Sequence, residues 1–136
     1  MSAMHVQVVT PERVVVSRDA EMVIARALDG DIGILPRHIP LITVLAPGVV
    51  RIKGSGAETS IAVGGGFMEV SADSSVTILA ETAELGTEID IDRARQARDR
   101  ALKRLAEQDK LHIDVQRSEV ALKKALARLE ASGRDQ

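Results

Sequence analysis

An acid and a set of cations in the C-terminal part of the sequence carry its clearest chemical potential. Asp90 precedes a run of helix-forming residues, and its carboxylate can accept the free backbone N–H groups of a first helical turn. Cations recur at helical spacing on the two stretches that follow: Arg93, Arg100 and Arg104 on the first, Lys124 and Arg128 on the second. Folding these stretches together would gather the cations near a helix N-terminus.

Two interpretations of these residues stay open. The cations could form a polyphosphate site, because a guanidinium presents a planar fork of donors to phosphate oxygens. Alternatively, Asp90 only caps the helix and the cations form a solvated face. The two interpretations are compatible, since a capping carboxylate can also touch a ligand.

Patterns for other chemistry are missing from the sequence. The chain has no cysteine, so disulfides and thiolate metal sites are excluded. His5, His38 and His112 are scattered and lack metal-ligand spacing, which predicts structural or interfacial roles. The triplet at 64–66 (GGG) has no following Lys-Ser/Thr and leads into a strand-like run, which favours a β-bulge over a phosphate loop. We therefore expect no independent active site.

Composition also argues against two classes of partner. Phe67 is the single aromatic residue, so a base-stacking platform for nucleic acid is not expected. No uncharged apolar run approaches the length of about 18 residues that a membrane span needs. Any membrane association is therefore expected to pass through a partner.

The net charge of −2 hides an asymmetry between the two parts of the chain. Residues 1–88 carry 6 Lys/Arg and 11 Asp/Glu, whereas residues 89–136 carry 12 and 9. An acidic part and a basic part are expected to prefer different partners. A solvated helix surface rich in both signs is the alternative explanation.

Residues 1–82 predict β-structure. Runs rich in β-branched residues occur at 5–9, 13–16, 22–24, 49–52, 60–63 and 76–79. Turn signals such as 29–31 (DGD) and 54–56 (GSG) separate them. Short strands with no helix between them are typical of an antiparallel sandwich or barrel.

Residues 89–131 predict two helices, because they lack Gly and Pro and consist mainly of strong helix formers. Small and apolar side chains recur at spacings of three and four, as in the narrow seam of an antiparallel hairpin. The predicted seam comprises Ala94, Ala97, Ala101 and Leu105, with Leu102 beside this face, then Val115, Ser118, Leu122, Ala125 and Leu129. The pattern breaks at 108–112 (QDKLH), the predicted turn, and Asp114 is a candidate cap for the second helix.

This seam is expected to hold the hairpin weakly, because it is mostly alanine. Each buried CH₂ stabilises by about 0.8 kcal/mol, whereas ordering a residue costs about 1–2 kcal/mol of backbone entropy. A ligand or partner worth a few kcal/mol could therefore move the hairpin. A permanently docked hairpin is the alternative.

Three segments resemble the epsilon subunits of bacterial F-type ATP synthases: 9–12 (VTPE), 30–43 (GDIGILPRHIPLIT) and 65–70 (GGFMEV). The order of a β part followed by two Ala-rich helices also matches, and the resemblance extends from His5 to Leu129. It implies an N-terminal antiparallel β-sandwich of about ten strands at 1–84. A mobile, regulatory two-helix hairpin is then expected at 85–136.

The same resemblance implies a non-catalytic subunit of the central stalk. The sandwich is expected to bind the gamma subunit and the c-ring at the cytoplasmic face of the bacterial membrane. In the family, the position matching Asp31 faces the c-ring, and those matching His38 and Thr43 lie toward gamma. The family often has Gly at the position of Arg37.

Residues 89–94 (IDIDRA) match the Ile/Leu-Asp-x-x-Arg-Ala motif through which some bacterial members bind ATP on the folded hairpin. The matching or corresponding positions are Ile89, Asp90, Arg93, Ala94, Arg100, Lys124 and Arg128. ATP, with or without Mg²⁺, is therefore the regulatory ligand that the resemblance implies. In the extended state, the hairpin would contact the alpha and beta catalytic subunits and block ATP hydrolysis.

Two other function classes stay open beside this one. The chain could be a free-standing binding module with a helical oligomerisation arm, which would self-associate rather than join a gamma subunit. A small hydrolase built on the sandwich is the third class, and the missing nucleophile and metal patterns disfavour it.

Overall fold

The computed structural model describes residues 3–107 and 115–133. Within them, ten strands precede two helices, with a short 3-10 helix, Gly86–Glu88, at the junction. The strands are β1 (Met4–Val9), β2 (Val14–Ala20), β3 (Met22–Ala27), β4 (Gly30–Ile34), β5 (Leu41–Leu45), β6 (Gly48–Gly54), β7 (Ala57–Val63), β8 (Gly66–Val70), β9 (Ser75–Ala80) and β10 (Ala83–Leu85). The helices are α1 (Ile91–Ala106) and α2 (Val115–Ser132). The predicted turn at 108–112, with His112, and the predicted cap Asp114 lie outside the described residues.

The strands form one hydrogen-bonded sheet in the order β10-β7-β6-β3-β5-β8-β9-β1-β2, with β4 paired to β3. Its ends approach each other, because Arg18 on β2 donates to the Thr59 hydroxyl at 2.6 Å and to the Gly54 carbonyl at 3.0 Å. The pairs in the described residues are antiparallel except β1 with β9, which is parallel. Adjacent parallel strands need a long connection. Here, strands β2 to β8 lie between β1 and β9 in the sequence.

The core lies between the layers and is aliphatic, as the composition requires. Alternate residues of the strands point inward, so that β1 buries Met4, Val6 and Val8 while the residues between them face outward. Among the largest fully buried side chains are Ile34, Ile52, Ile61, Met68 and Ile78. The predicted β-sandwich followed by a helical hairpin is therefore confirmed.

Helix α2 docks on the outer face of β6 and β7. Val49 on β6 and Ala62 on β7 form a second apolar cluster with Ala127, Leu129 and Ala131 of α2. Two ion pairs flank this cluster: Arg128 Nε donates to Glu84 Oε1 on β10 at 2.7 Å, and Arg51 Nη2 on β6 donates to Glu130 Oε2 at 2.5 Å. Leu129 is fully buried between the two charged residues of α2.

Helix α1 packs on α2, and most of the predicted seam is confirmed. Ala94, Ala101, Ser118, Ala125 and Leu129 are buried, and Ala97, Leu105 and Leu122 are partly buried. Val115 is 36% exposed, so the prediction was wrong for this residue, and Leu102, predicted beside the face, is 48% exposed. The physical reason is the small size of the alanines: they bring the helices together along a stripe too narrow to cover its flanks.

Candidate functional site

A cleft of about 600 Å³ lies where the sandwich, α1 and α2 meet. Its lining residues are Glu84, Glu88, Asp90, Arg93, Ala94, Ala97, Arg100 and Arg128. The volume is within the range of about 300–1,000 Å³ that is common for small-molecule sites. Five of the seven residues predicted for ATP, Asp90, Arg93, Ala94, Arg100 and Arg128, are therefore brought together here.

Asp90 begins α1, as predicted. It has extended backbone angles (φ −78°, ψ 102°), and its Oδ1 accepts the Arg93 backbone N–H at 3.1 Å. This hydrogen bond satisfies one of the free donors at the helix start. The N-cap prediction is confirmed, and the same residue lines the cleft.

Two arginines of α1 line the cleft. They are seven residues, or about two helical turns, apart, so their side chains lie on the same face of the helix. Arg93 and Arg100 share a face with Ala94 and Ala97, whose methyl side chains leave room beneath the guanidinium groups. A larger side chain at either alanine would fill this space. The small residues that form the seam thus also give the cleft its depth.

Arg128 brings the third guanidinium from α2, and Glu84 of β10 holds it through Nε. Glu84 and Glu88 line the cleft but were missed by the sequence analysis. No local signal marks them, because they precede α1 in the chain, whereas Arg128 comes near them only through the docking of α2. The cleft thus presents three guanidinium groups and three carboxylates, a set suited to a ligand with both anionic groups and N–H or O–H donors.

Two predicted residues lie beside the cleft rather than in its lining. Ile89 is 8% exposed and packs in the apolar cluster under α2, where it anchors the start of α1. Lys124 lines a smaller depression with Gly64, Thr82, Glu84 and Arg128. Lys124 lies one helical turn before Arg128, as its spacing predicts, and its side chain lies near the end of β7 rather than in the cleft.

The predicted interface residues lie on the sandwich, away from this cleft. Asp31 on β4 accepts a hydrogen bond from Arg26 Nε at 2.6 Å, and this bond and the carboxylate charge raise the pKa of Arg26 above its usual value. His38 is partly buried, with Nδ1 2.7 Å from the Ile39 carbonyl oxygen. Arg37 has φ 69°, a left-handed conformation that favours glycine.

Thr43 is partly buried on β5, between two exposed apolar neighbours. Ile42 is 70% exposed and Val44 is 43% exposed. Val44 pairs with Phe67 on β8, and Phe67 pairs with Leu79 on β9. Phe67 and Leu79 are also about half exposed. We call Ile42, Val44, Phe67 and Leu79 the apolar stripe. Phe67 and Leu79 lie in runs that were predicted as strand-like, whereas β5, with Ile42 and Val44, was not among the predicted strands.

Neither described helix has a stretch both long and apolar enough to cross a membrane. In the described part of the chain, no three side chains of His, Cys, Asp or Glu group closely enough to hold a metal ion.

Two family models match nearly the whole chain. Residues 3–86 match the ATP synthase, Delta/Epsilon chain, beta-sandwich domain, and residues 87–133 match the long alpha-helix domain of the same chain. The ATP synthase epsilon chain of Halalkalibacterium halodurans is 48% identical, over 98% of this chain and 100% of its own length. That of Brevibacillus brevis is 63% identical, over 79% of this chain and 81% of its own.

Solved structures show the same fold at low identity. A chain of the Euglena gracilis mitochondrial ATP synthase has a TM-score of 0.82 at 21% identity, covering 98% of this chain and 83% of its own. A chain from the central stalk and c-ring of the Tetrahymena thermophila enzyme has a TM-score of 0.59 at 18% identity, covering 96% and 97%. The matching domains and the close sequence relatives together show that this chain belongs to the ATP synthase epsilon-chain family.

Proposed function

We propose that this chain is a non-catalytic central-stalk subunit of a bacterial F-type ATP synthase, with the sandwich as its anchor and the hairpin as a nucleotide-sensitive regulator. Family membership supports the first half of this proposal. One observation carries the second half: a single cleft takes its side chains from β10, α1 and α2, which meet only when α2 is docked.

The apolar stripe is the surface proposed to bind the gamma subunit. Exposed apolar patches of this kind usually mark binding sites, and aromatic residues are enriched in interface cores. Thr43 and His38, which the family resemblance places toward gamma, lie on β5 and on the segment leading to it. Because Thr43 alternates with Ile42 and Val44, the exposed pair makes the closer contacts in this proposal.

The turn between β3 and β4 is proposed to face the c-ring. Leu28 is 70% exposed at this turn. Asp31, the second residue of β4, is also exposed. Arg26 already pairs with Asp31, so the surface offers an exposed apolar tip beside a partly neutralised acid. The chain would thus join the membrane through the c-ring, at its cytoplasmic face.

ATP is the ligand proposed for the cleft. Its triphosphate would take Arg93, Arg100 and Arg128, with Lys124 close enough to add charge from the adjoining depression. The carboxylates of Asp90 and Glu88 would face donors of the base and ribose, or a Mg²⁺ ion carried in on the phosphates.

Nucleotide binding and docking are thereby linked. A ligand that binds only the docked form stabilises it by about 2.7 kcal/mol at a free concentration about 100 times its Kd. The docking surface is small and rich in alanine, with two partly exposed ion pairs at its sides. Partly exposed ion pairs contribute only about 0–1 kcal/mol each, so a shift of this size can decide which form dominates.

Without ATP, the hairpin is proposed to extend toward the alpha and beta subunits and to stop ATP hydrolysis. Arg93, Arg100 and Arg104 are exposed on α1 and would be available to acidic surfaces there. In this proposal, Arg93 and Arg100 serve the inhibitory role in the extended form and hold the phosphates in the docked form.

Calorimetric titration of the isolated chain with ATP tests the nucleotide site. Arg93→Gln and Arg100→Gln should each weaken ATP binding by about tenfold or more, because each removes a charge-assisted hydrogen bond worth about 1.5–3 kcal/mol. Arg98→Gln is the matched control, since Arg98 lies on α1, pairs with Asp99 and does not line the cleft. Equal binding by all three variants and the wild type would remove the cleft from the proposal.

A further inference from the structure

Arg128 takes part in two structures at once. Its Nε donates to Glu84 on β10, which helps to fix α2 on the sandwich, and its side chain also lines the cleft with the arginines of α1. Among the described residues that line the cleft, Glu84 is the only one that lies on a strand of the sandwich. This contact is one way in which docking of α2 acts on the cleft, beside the apolar cluster under α2, which includes Ala94.

The contact has a geometry that leaves most of the guanidinium available. A guanidinium carries five N–H donors, one on Nε and four on the two Nη atoms. Among the described residues, Arg128 donates one side-chain hydrogen bond, from Nε to Glu84 Oε1 at 2.7 Å. The four Nη donors can therefore still bind phosphate oxygens while Glu84 keeps its place.

We propose that Glu84 is a positioning residue, which holds Arg128 by Nε so that its Nη groups face a phosphate, and which thereby makes nucleotide affinity depend on the docking of α2. This inference rests on the proposed function of the cleft. An arginine side chain held in this way loses its rotamer freedom before the ligand arrives, so less ordering is needed on binding. In the undocked form Arg128 has no such support, and its share of the affinity is lost.

A second effect of Glu84 acts in the opposite direction, and the two can be separated. The carboxylate charge repels a phosphate that binds nearby, whereas its oxygen orients Arg128. Glutamine keeps an acceptor oxygen but removes the charge, and alanine removes both. If orientation dominates, only alanine harms binding; if repulsion dominates, both substitutions improve it.

The experiment measures ATP and AMP affinity by calorimetry for the wild type, Glu84→Gln, Glu84→Ala and Glu81→Gln. Glu81 is the matched control, because it is an exposed carboxylate three residues before Glu84 and does not line the cleft. Glu84→Ala should weaken ATP binding by about tenfold, the cost of ordering one long side chain. Glu84→Gln and Glu81→Gln should stay within about threefold of the wild type. AMP affinity should change less than ATP affinity, because the lost contact is to the phosphates.

Docking is measured on the same variants with spin labels at Ala57→Cys on β7 and Ala121→Cys on α2, both exposed positions in a chain without native cysteine. Glu84→Ala should lower the fraction of the short-distance, docked population, and Glu84→Gln should restore it. Wild-type affinity in Glu84→Ala, or equal losses in Glu84→Ala and Glu84→Gln, would overturn the inference alone. A wild-type chain that binds no ATP would overturn the nucleotide site and this inference with it.

Discussion

At the residue scale, the cleft combines side chains that serve structure with side chains that serve a ligand. Asp90 caps α1 and also lines the cleft, and Arg128 fixes α2 while facing the same space. Because these side chains have two roles, replacing one of them by alanine changes both the stability of the fold and the affinity for a ligand. Conservative substitutions that keep one role and remove the other are needed to separate them.

Asp90 offers this separation. Asp90→Ala should destabilise the hairpin by about 1 kcal/mol, because the first turn of α1 loses its acceptor, whereas asparagine caps nearly as well as aspartate and should cost little. Urea unfolding followed by circular dichroism measures both. Equal destabilisation by Asp90→Ala and Asp90→Asn would show that the charge, and not the cap, stabilises the helix.

The local part of this site was predictable from sequence, and the non-local part was not. The cap at Asp90 and the two-turn spacing of Arg93 and Arg100 depend only on the period of one helix. The place of Lys124 and the presence of Glu84 depend on the rotation of α2 over β7, which no spacing along the chain records.

At the element scale, the docking of α2 requires a close backbone approach. A Cβ at Gly86 would lie 2.9 Å from the Ala131 carbonyl carbon, and closer still to its oxygen. Glycine is needed here for space and not for an unusual φ, since Gly86 has no positive φ. The junction between β10 and α1 thus holds the C-terminal end of α2.

Gly86→Ala should therefore release the end of α2 while leaving the sandwich folded. Hydrogen exchange should become faster in residues 125–131 and stay unchanged in β1, β8 and β9. Gly33→Ala is the control, because a Cβ there would make only an ordinary contact of 3.5 Å with Met22. Unchanged exchange in α2 of Gly86→Ala would mean that α2 is held by other contacts.

The elements themselves followed from the sequence to different degrees. Runs of β-branched residues predicted β1, β2, β3, β6, β7 and β9, and the switch to Ala-rich helix predicted α1 and α2. The pairing of β1 with β9 did not follow, because it depends on contacts between segments far apart in the chain. By contrast, β4 pairs with β3 across a short connection at the predicted turn 29–31. The seam was predicted well at its alanines and wrongly at Val115, which is exposed.

At the scale of the whole molecule, the two proposed binding surfaces are separate. The apolar stripe lies on β5, β8 and β9, whereas α2 covers β6 and β7. The anchor can therefore stay bound to the stalk while the hairpin moves. This separation is what a subunit needs if it is to regulate the enzyme without leaving it.

Phe67→Glu should abolish co-purification with the gamma subunit, because it places a charge in the centre of the apolar stripe. Val14→Glu is the matched control: Val14 is 53% exposed, about as much as Phe67 at 52%, but lies on β2 outside the stripe. Pull-down of the tagged variants from cells that express the complex measures this. Retention of gamma by Phe67→Glu would place the interface elsewhere on the sandwich.

The most direct measurement for the whole account is hydrogen exchange of the isolated chain with and without saturating ATP. We expect ATP to slow amide exchange across α1, α2 and β10, where the cleft takes its side chains, and to leave the strands of the apolar stripe unaffected. Exchange in the helices that is the same with ATP bound as without it would contradict the claim that nucleotide binding and hairpin docking are one event.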